Sequence, residues 1–322
     1  MTILPLHRTR AAVVAVAAGL ALAACGGNDD TGGADGATIS GPVVIDGSST
    51  VEPLSSAAAE LFMGENPDTN VTVGTSGTGG GFEKFCAGET DVSDASRPIE
   101  DSEIAVCEQH GIAYSQLTVA NDALSVVVNP ENDWADCLTV AQLNAIWAPG
   151  STVNNWNQVD PSFPNEPLQL FGAGSDSGTF DYFAQAVNGE EGASRTDYNP
   201  TEDDNITVQG VAATRGALGY FGYSYLEANA DKVKGVAIDG GNGCVSPSAE
   251  TARDGSYTPL SRELFIYVSD AALQKPQVVS FADFYLRSNA EIVEAAGFIP
   301  LTDDQIKVAL NQLDELNTKA GN

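Results

Sequence analysis

Four times along this chain a short run passes into a cluster of glycines and hydroxyl residues, and three of those clusters open a helical pattern; this recurrence limits the fold more than any single motif. The fullest copy is residues 74–85, GTSGTGGGFEKF, behind the β-like run 70–73 and ahead of a helical segment at 82–86. A second copy has a strand at 43–45, the loop 46–50 and a helical pattern over 51–63, with apolar Leu54, Ala57, Ala58, Leu61 and Phe62. A third polar loop spans 91–98, before a helix that starts near Pro98 and ends before Gly111. The fourth follows a strand at 168–171 and runs through 172–179 into a helix over 180–187. Further strands are expected at 117–120, 124–128, 217–221, 233–238 and 264–268, and helices at 138–147, 206–213, 278–286, 290–296 and 301–316. Alternating strands and helices predict an α/β protein with largely parallel sheets. Ligands of such sheets bind at the carboxyl ends of strands, where these loops lie.

The loops share one chemistry. Gly77, Gly79, Gly80 and Gly81 let a ligand approach the backbone closely. The first N–H groups of a helix lack partners within it, and the helix dipole favours an anion there. Ser48, Ser49 and Thr50, Ser76 and Thr78, Ser96, and Ser177 and Thr179 add hydroxyl donors. Arg97 is the single cation in these loops apart from Lys84, which sits well into its helix and is expected to pair there. Many neutral donors from several directions, with one forked guanidinium, suit a tetrahedral oxyanion. A plain helix cap explains each loop taken alone; the repetition favours binding.

Charge narrows the partners. The chain carries 14 Lys+Arg against 44 Asp+Glu, a net charge of -30. That argues against nucleic acid, which needs a basic footprint, and against a polyanionic membrane surface. A small anion is still admissible, because N–H and O–H groups can hold it in a dry cleft. The N-terminus reads as a targeting segment: Arg8 and Arg10, then an apolar run over 11–24, too short to span a bilayer comfortably. Leu22-Ala23-Ala24-Cys25 resembles a bacterial lipobox, with cleavage before Cys25 and lipid on its thiol. Residues 25–40 then form a Gly/Asp/Ala tether. Cleavage removes Arg8 and Arg10 and no acid, leaving a net charge of -32.

The motifs GSSTVEP at 47–53, GTSGTGGGFEKF at 74–85, DASRP at 94–98 and GSDSGTFDYF at 174–183 together resemble the phosphate-binding lipoprotein of the bacterial phosphate-specific ABC importer. The resemblance runs from about Val43 onward and is specific in combination only. It implies a type II periplasmic-binding-protein fold: two α/β lobes with a central cleft and crossing hinge strands. Lobe one is expected at 41–120 and 262–322, lobe two at 121–261. It implies phosphate contacts from Thr50 and the Val51 amide, from Thr78 or Gly79, and from Ser177, Gly178 and Thr179. Ser49, Ser76, Ser96 and Arg97 complete the expected site. Well-known members place a proton-accepting Asp where this chain has Arg97, and an Arg where it has Ala173. The cation is therefore expected to have moved between lobes, with Asp94, Glu52 and Asp176 as candidate acceptors.

The function expected is phosphate capture outside the cytoplasmic membrane and delivery to an ABC permease by a monomer held to the membrane through its lipid alone, in a periplasm or at a cell exterior. No catalytic residue, cofactor or metal is expected, and no nucleic acid. The alternatives are another oxyanion (sulfate or molybdate), a surface sensor or adhesin, and an exported hydrolase. The hydrolase reading is poor: Gly174-Ser175-Asp176-Ser177-Gly178 is not G-x-S-x-G, and only His110 remains as a base once His7 leaves. Cys86, Cys107, Cys137 and Cys244 are an even set in an exported chain and predict two disulfides. Of three pairings, Cys86–Cys107 with Cys137–Cys244 is favoured, on the expectation that each pair stays within one lobe. Trp147 and Trp156 are expected to pack rather than to stack on a sugar.

Overall fold

A computed structural model describes residues 39–175 and 177–321. The targeting segment, Cys25, nearly all of the tether and Asp176 lie outside the described residues. Strands β1 (Gly41–Gly47), β2 (Thr69–Thr75) and β3 (Val92–Ala95) alternate with helices α1 (Glu52–Glu65), α2 (Gly77–Cys86) and α3 (Asp101–His110). A long strand, β4 (Tyr114–Val128), leads into β5 (Cys137–Thr139), α4 (Val140–Trp147), α5 (Trp156–Val159), β6 (Gln169–Ala173) and α6 (Gly178–Asn188). Next come β7 (Asn199–Thr201), α7 (Asp204–Ala213), β8 (Ala217–Gly222), α8 (Tyr223–Ala228), β9 (Lys234–Gly235), β10 (Ala237–Asp239), β11 (Cys244–Val245) and α9 (Ala249–Arg253). The chain returns through β12 (Ser261–Ser269) to α10 (Pro276–Arg287), α11 (Asn289–Ala295) and α12 (Asp303–Lys319).

One sheet runs β2-β1-β3-β12-β4-β8-β6-β7, with β9 also on β4. Strand β4 is its spine. Residues 114–123 pair antiparallel with β12, and residues 124–128 pair antiparallel with β8. The βα units contribute parallel pairs, β1 with β2 and β3, and β6 with β7 and β8. The sheet is thus mixed rather than largely parallel, because β4 and β12 cross it in opposite senses. A smaller sheet, β11-β10-β5, packs nearby.

Among the described residues, the two larger of four apolar clusters flank the crossing. The first gathers Val43, Phe62, Val119, Ile266, Phe281 and Tyr285 under α1 and the C-terminal helices. On α1, Leu54, Ala58 and Phe62 recur at helical spacing and are buried, as the 3.6-residue period requires. The second core gathers Trp147, Trp156, Phe183 and Tyr220. Both Trp147 and Trp156 are fully buried, so they pack and do not face a ligand. The C-terminal segment joins the second core through Ile299, whose backbone bridges to Asn121.

Both disulfides take the favoured pairing. Cys86–Cys107 ties α2 to α3, and Cys137–Cys244 ties β5 to β11. Three local expectations are corrected. The glycines at 77–81 are the first turns of α2, not a loop before it. The first half of the third polar loop is the fully buried strand β3. The strands expected at 117–120 and 124–128 are one strand, since Asn121 and Asp122 continue the ladder instead of breaking it.

Candidate functional site

The first loop is folded by Ser48. Its N–H donates to Asp94 O at 2.9 Å, and its carbonyl accepts from Val51 and Glu52 at 3.2 and 3.0 Å. Its Oγ accepts from Thr50 N at 3.2 Å. The resulting turn opens α1, with a proline in its first turn and no side-chain cap. The Val51 amide, expected to face an anion, is therefore engaged in this turn.

The second loop is glycine because α2 lies directly on β1. A Cβ at Gly81 would come within 2.5 Å of Gly47 Cα and 2.9 Å of Ser93 Oγ. Ser76, expected among the donors, instead donates to Asp46, and Lys84 approaches the other Asp46 oxygen at 2.6 Å. Burial pushes the Asp46 carboxyl up, but hydrogen bonds from Lys84 and Ser76 hold it below the usual range. Lys84 is thus spoken for, as its place in the helix suggested.

Thr78 and Ser96 meet across the second and third loops. Ser96 N donates to Thr78 Oγ1 at 3.2 Å, and the two hydroxyls lie 3.1 Å apart. Arg97 adjoins them, near Gly79, but its guanidinium forks onto Glu103 at 2.9 and 2.8 Å. Its Nη1 also donates to Pro98 O at 3.1 Å, and Glu100 lies 3.4 Å from Nε. That hydrogen bonding raises the proton affinity of Arg97 against the effect of burial; burial pushes Glu103 up, and the pair with Arg97 brings it below the usual range. The cation expected to face the anion alone is thus already matched by a carboxylate.

In the fourth loop Ser177 caps α6, its Oγ accepting from Thr179 N at 3.2 Å. The start of α6 meets the start of α1: a Cβ at Gly178 would lie 2.7 Å from Thr50 Oγ1. Only a glycine allows that approach.

At this junction stands a pair absent from the expected site. Arg262 donates from Nε to Asp122 Oδ2 at 3.1 Å and from Nη2 to Thr50 Oγ1 at 3.2 Å. Its guanidinium stacks 3.6 Å above the ring of Tyr182 on α6. Asp122 and Arg262 are cross-strand neighbours on β4 and β12. Asp122 is buried, and burial raises its proton affinity more than Arg262 lowers it. The signal for both is a charged residue inside an apolar strand, TVANDALSVVV and SRELFIYV.

Two cavities meet at the Thr50–Arg262 hydrogen bond. One, of about 410 Å³, is lined by Ser49, Thr50, Asp122, Ser177, Gly178 and Thr179 among others. The other, of about 590 Å³, is lined by Thr78, Ser96, Arg97, Tyr182 and Arg262 among others. The structure therefore brings eight of the eleven expected residues to these walls; Ser76, Val51 and Gly79 line neither. Of the candidate proton acceptors, Asp94 is wholly buried beneath the first loop. Its Oδ1 accepts from Ser55 Oγ at 2.8 Å, Oδ2 has no partner, and burial pushes its carboxyl up to about 8. Glu52 accepts from Ser56 Oγ at 2.6 Å and lines neither cavity. His110 lies beside the first disulfide, its Nδ1 2.8 Å from Cys86 O, apart from both cavities. The acidic run at 202–204 starts α7, where Asp203 accepts from Asn205 N at 3.0 Å.

A model of the PBP superfamily domain matches residues 32–289. The protein SphX of Synechocystis is 46% identical over 265 residues, covering 81% of this chain and 79% of that one. The phosphate-binding protein PstS of Staphylococcus saprophyticus is 38% identical over 304 residues, covering 94% and 92%. The crystal structure of a possible phosphate binding protein from Planctomyces limnophilus superposes with a TM-score of 0.83 at 48% identity, covering 86% of this chain and 99% of that one. A phosphate transport receptor of the ABC type from Vibrio cholerae, 22% identical over 80% of this chain and all of its own, shares the fold with a TM-score of 0.64. The chain belongs to the PBP superfamily, in the family of the proteins named PstS and SphX, and has the type II periplasmic-binding-protein fold.

Proposed function

We propose that this chain binds inorganic phosphate between residues 41–120 with 262–322 and residues 121–261, acting as two lobes, and delivers it to the permease of an ABC importer. The observation that carries this reading is the meeting of the α1 and α6 starts at Thr50 and Gly178, with Arg262 beside them and Thr78 and Ser96 across the second cavity. Helix starts supply N–H groups and dipole, hydroxyls supply further donors, and two arginines supply charge already balanced by Glu103 and Asp122. A site so balanced gains little from general attraction. It selects an ion by how completely its lone pairs are met. The names of the relatives PstS and the Planctomyces limnophilus protein point to the same ligand.

Capture proceeds by closure of the lobes about β4 and β12, with no bond made or broken. The chain works outside the cytoplasmic membrane as a monomer, tethered through a lipid on Cys25. Calorimetry of the protein without its lipid against phosphate, arsenate, sulfate and molybdate tests the reading. Phosphate and arsenate bind alike and tightly, and the other two weakly. Equal binding of sulfate, or turnover of a phosphate ester that His110→Ala abolishes, overturns it.

A further inference from the structure

Resting on the phosphate reading of the cleft, we propose that Tyr182 is a positioning residue for it: its ring holds the Arg262 guanidinium in the plane from which the free donors of that fork reach an anion beside Thr50. Three contacts fix the guanidinium. Nε donates to Asp122 Oδ2 at 3.1 Å, Nη2 donates to Thr50 Oγ1 at 3.2 Å, and the Tyr182 ring centroid lies 3.6 Å from its carbon. Both hydrogen bonds leave from the same edge of the fork. Two attachments along one edge define an axis, and the plane can still swing about it. Packing against one face stops that swing. Among the described residues Nη1 has no hydrogen-bond partner, so the outer edge of the fork keeps donors for a ligand, at an angle the planar group itself sets.

Tyr182 can act in this way because α6 is itself held. Gly178, Tyr182 and Gln185 follow at spacings of four and three, which puts them on one face of the helix. That face meets the cleft: Gly178 abuts Thr50, Tyr182 lies against Arg262, and Gln185 lines the second cavity. The next residue, Phe183, turns into the second core. Its ring stacks 3.8 Å from that of Tyr220 and meets Trp147 edge-on at 5.5 Å. A roll of α6 would break this packing. At its far end the Tyr182 hydroxyl donates to Pro259 O at 3.0 Å, so the ring is pinned at both ends, and Tyr182 is only 8% exposed. The single hydrogen of that hydroxyl is used on Pro259, which leaves the ring face as the part that acts on the site. A cation over an aromatic face is attracted more strongly where water is excluded, as it is here.

The test is calorimetry and stopped-flow binding of inorganic phosphate. Tyr182→Leu keeps an apolar side chain without a π face. Affinity is expected to fall by at least about tenfold, through faster dissociation with association nearly constant, because no charge is changed. Tyr182→Phe keeps the face, and affinity is expected to return to within about threefold of wild type. In Arg262→Gln there is no cation to orient, and adding Tyr182→Leu is expected to cost less than about twofold more. A merely structural role would not move that ratio between backgrounds, since partial unfolding lowers the bound stoichiometry equally in both. Should the leucine variant not fold, Tyr182→Met takes its place with the same expectations. Wild-type affinity in Tyr182→Leu, a loss of the same factor with and without Arg262, or a phenylalanine variant as weak as the leucine one each overturns the proposal. Failure of wild type to bind phosphate at all defeats the underlying reading instead, and is read before any variant.

Discussion

Asp94 shows how one residue can tie stability to pH without touching the ligand. Its backbone carbonyl receives Ser48 N and so anchors the first loop, while its side chain is buried with one oxygen unpartnered. Burial raises its carboxyl from 3.8 to about 8, with the nearby Glu52 and Asp46 charges adding to the effect and Ser55 opposing it. In the unfolded chain the same group ionises near 3.8. Its contribution to stability is therefore fully present below pH 3.8 and is lost as pH rises toward 8, after which nothing more is lost. Asp94→Asn removes the titration and keeps the shape. The stability of the variant relative to wild type is expected to increase across that window, by on the order of 1 kcal/mol per pH unit. Denaturant unfolding at pH 5, 6.5 and 8 measures it. Parallel pH profiles for the two proteins would mean that Asp94 titrates as an ordinary exposed carboxyl.

At the scale of elements, the site is a meeting of helix starts, and Gly178 is where two of them touch. A methyl group there would press on Thr50 Oγ1 from 2.7 Å, so Gly178→Ala must push α6 from α1 or displace the Thr50–Arg262 bond. Phosphate affinity is expected to fall by at least about tenfold, and the melting temperature by a few degrees, since overpacking by one methylene costs about 1–3 kcal/mol. Unaltered affinity in calorimetry would show that the two helix starts do not close on the ion together. This contact explains what the sequence made legible and what it hid. Strand, hydroxyl loop and helix start are local patterns, so Thr50, Thr78, Ser96 and Ser177 could be picked out one loop at a time. Arg262 and Asp122 lie 140 positions apart and become partners only through the pairing of β12 with β4. A charge in an apolar strand singles Arg262 out, but its neighbours in the chain carry no cleft motif that would place it beside Thr50. Likewise Ser76 and Arg97 stood in the right motifs, but their partners Asp46 and Glu103 come from other elements. The glycines of α2 misled for a related reason. Glycine lowers helix propensity, yet tight packing of α2 on β1 at Gly81 and Gly47 overrides that preference.

For the molecule as a whole, the governing fact is a net charge of -30 on a protein proposed to bind an anion. On the proposed function, the outer field repels phosphate during approach, whereas the cleft offers it short contacts from Thr50, Ser177, Thr179 and two acid-paired arginines. These effects act over different distances. Repulsion from the surface works beyond about 10 Å and is screened at 0.1 M salt, while buried hydrogen bonds are screened far less. Association of phosphate should therefore become faster as sodium chloride is raised from about 10 to 300 mM, by about threefold or more, because the barrier is an unfavourable long-range field. Dissociation should change little, so affinity improves with salt, the reverse of a cationic pocket that steers its ligand inward. Stopped-flow measurement of the two rates over that salt range decides the matter. An association rate that falls with salt would mean that the local potential of Arg97 and Arg262 reaches past the acidic surface, and that Glu103 and Asp122 do not balance them as the contacts indicate.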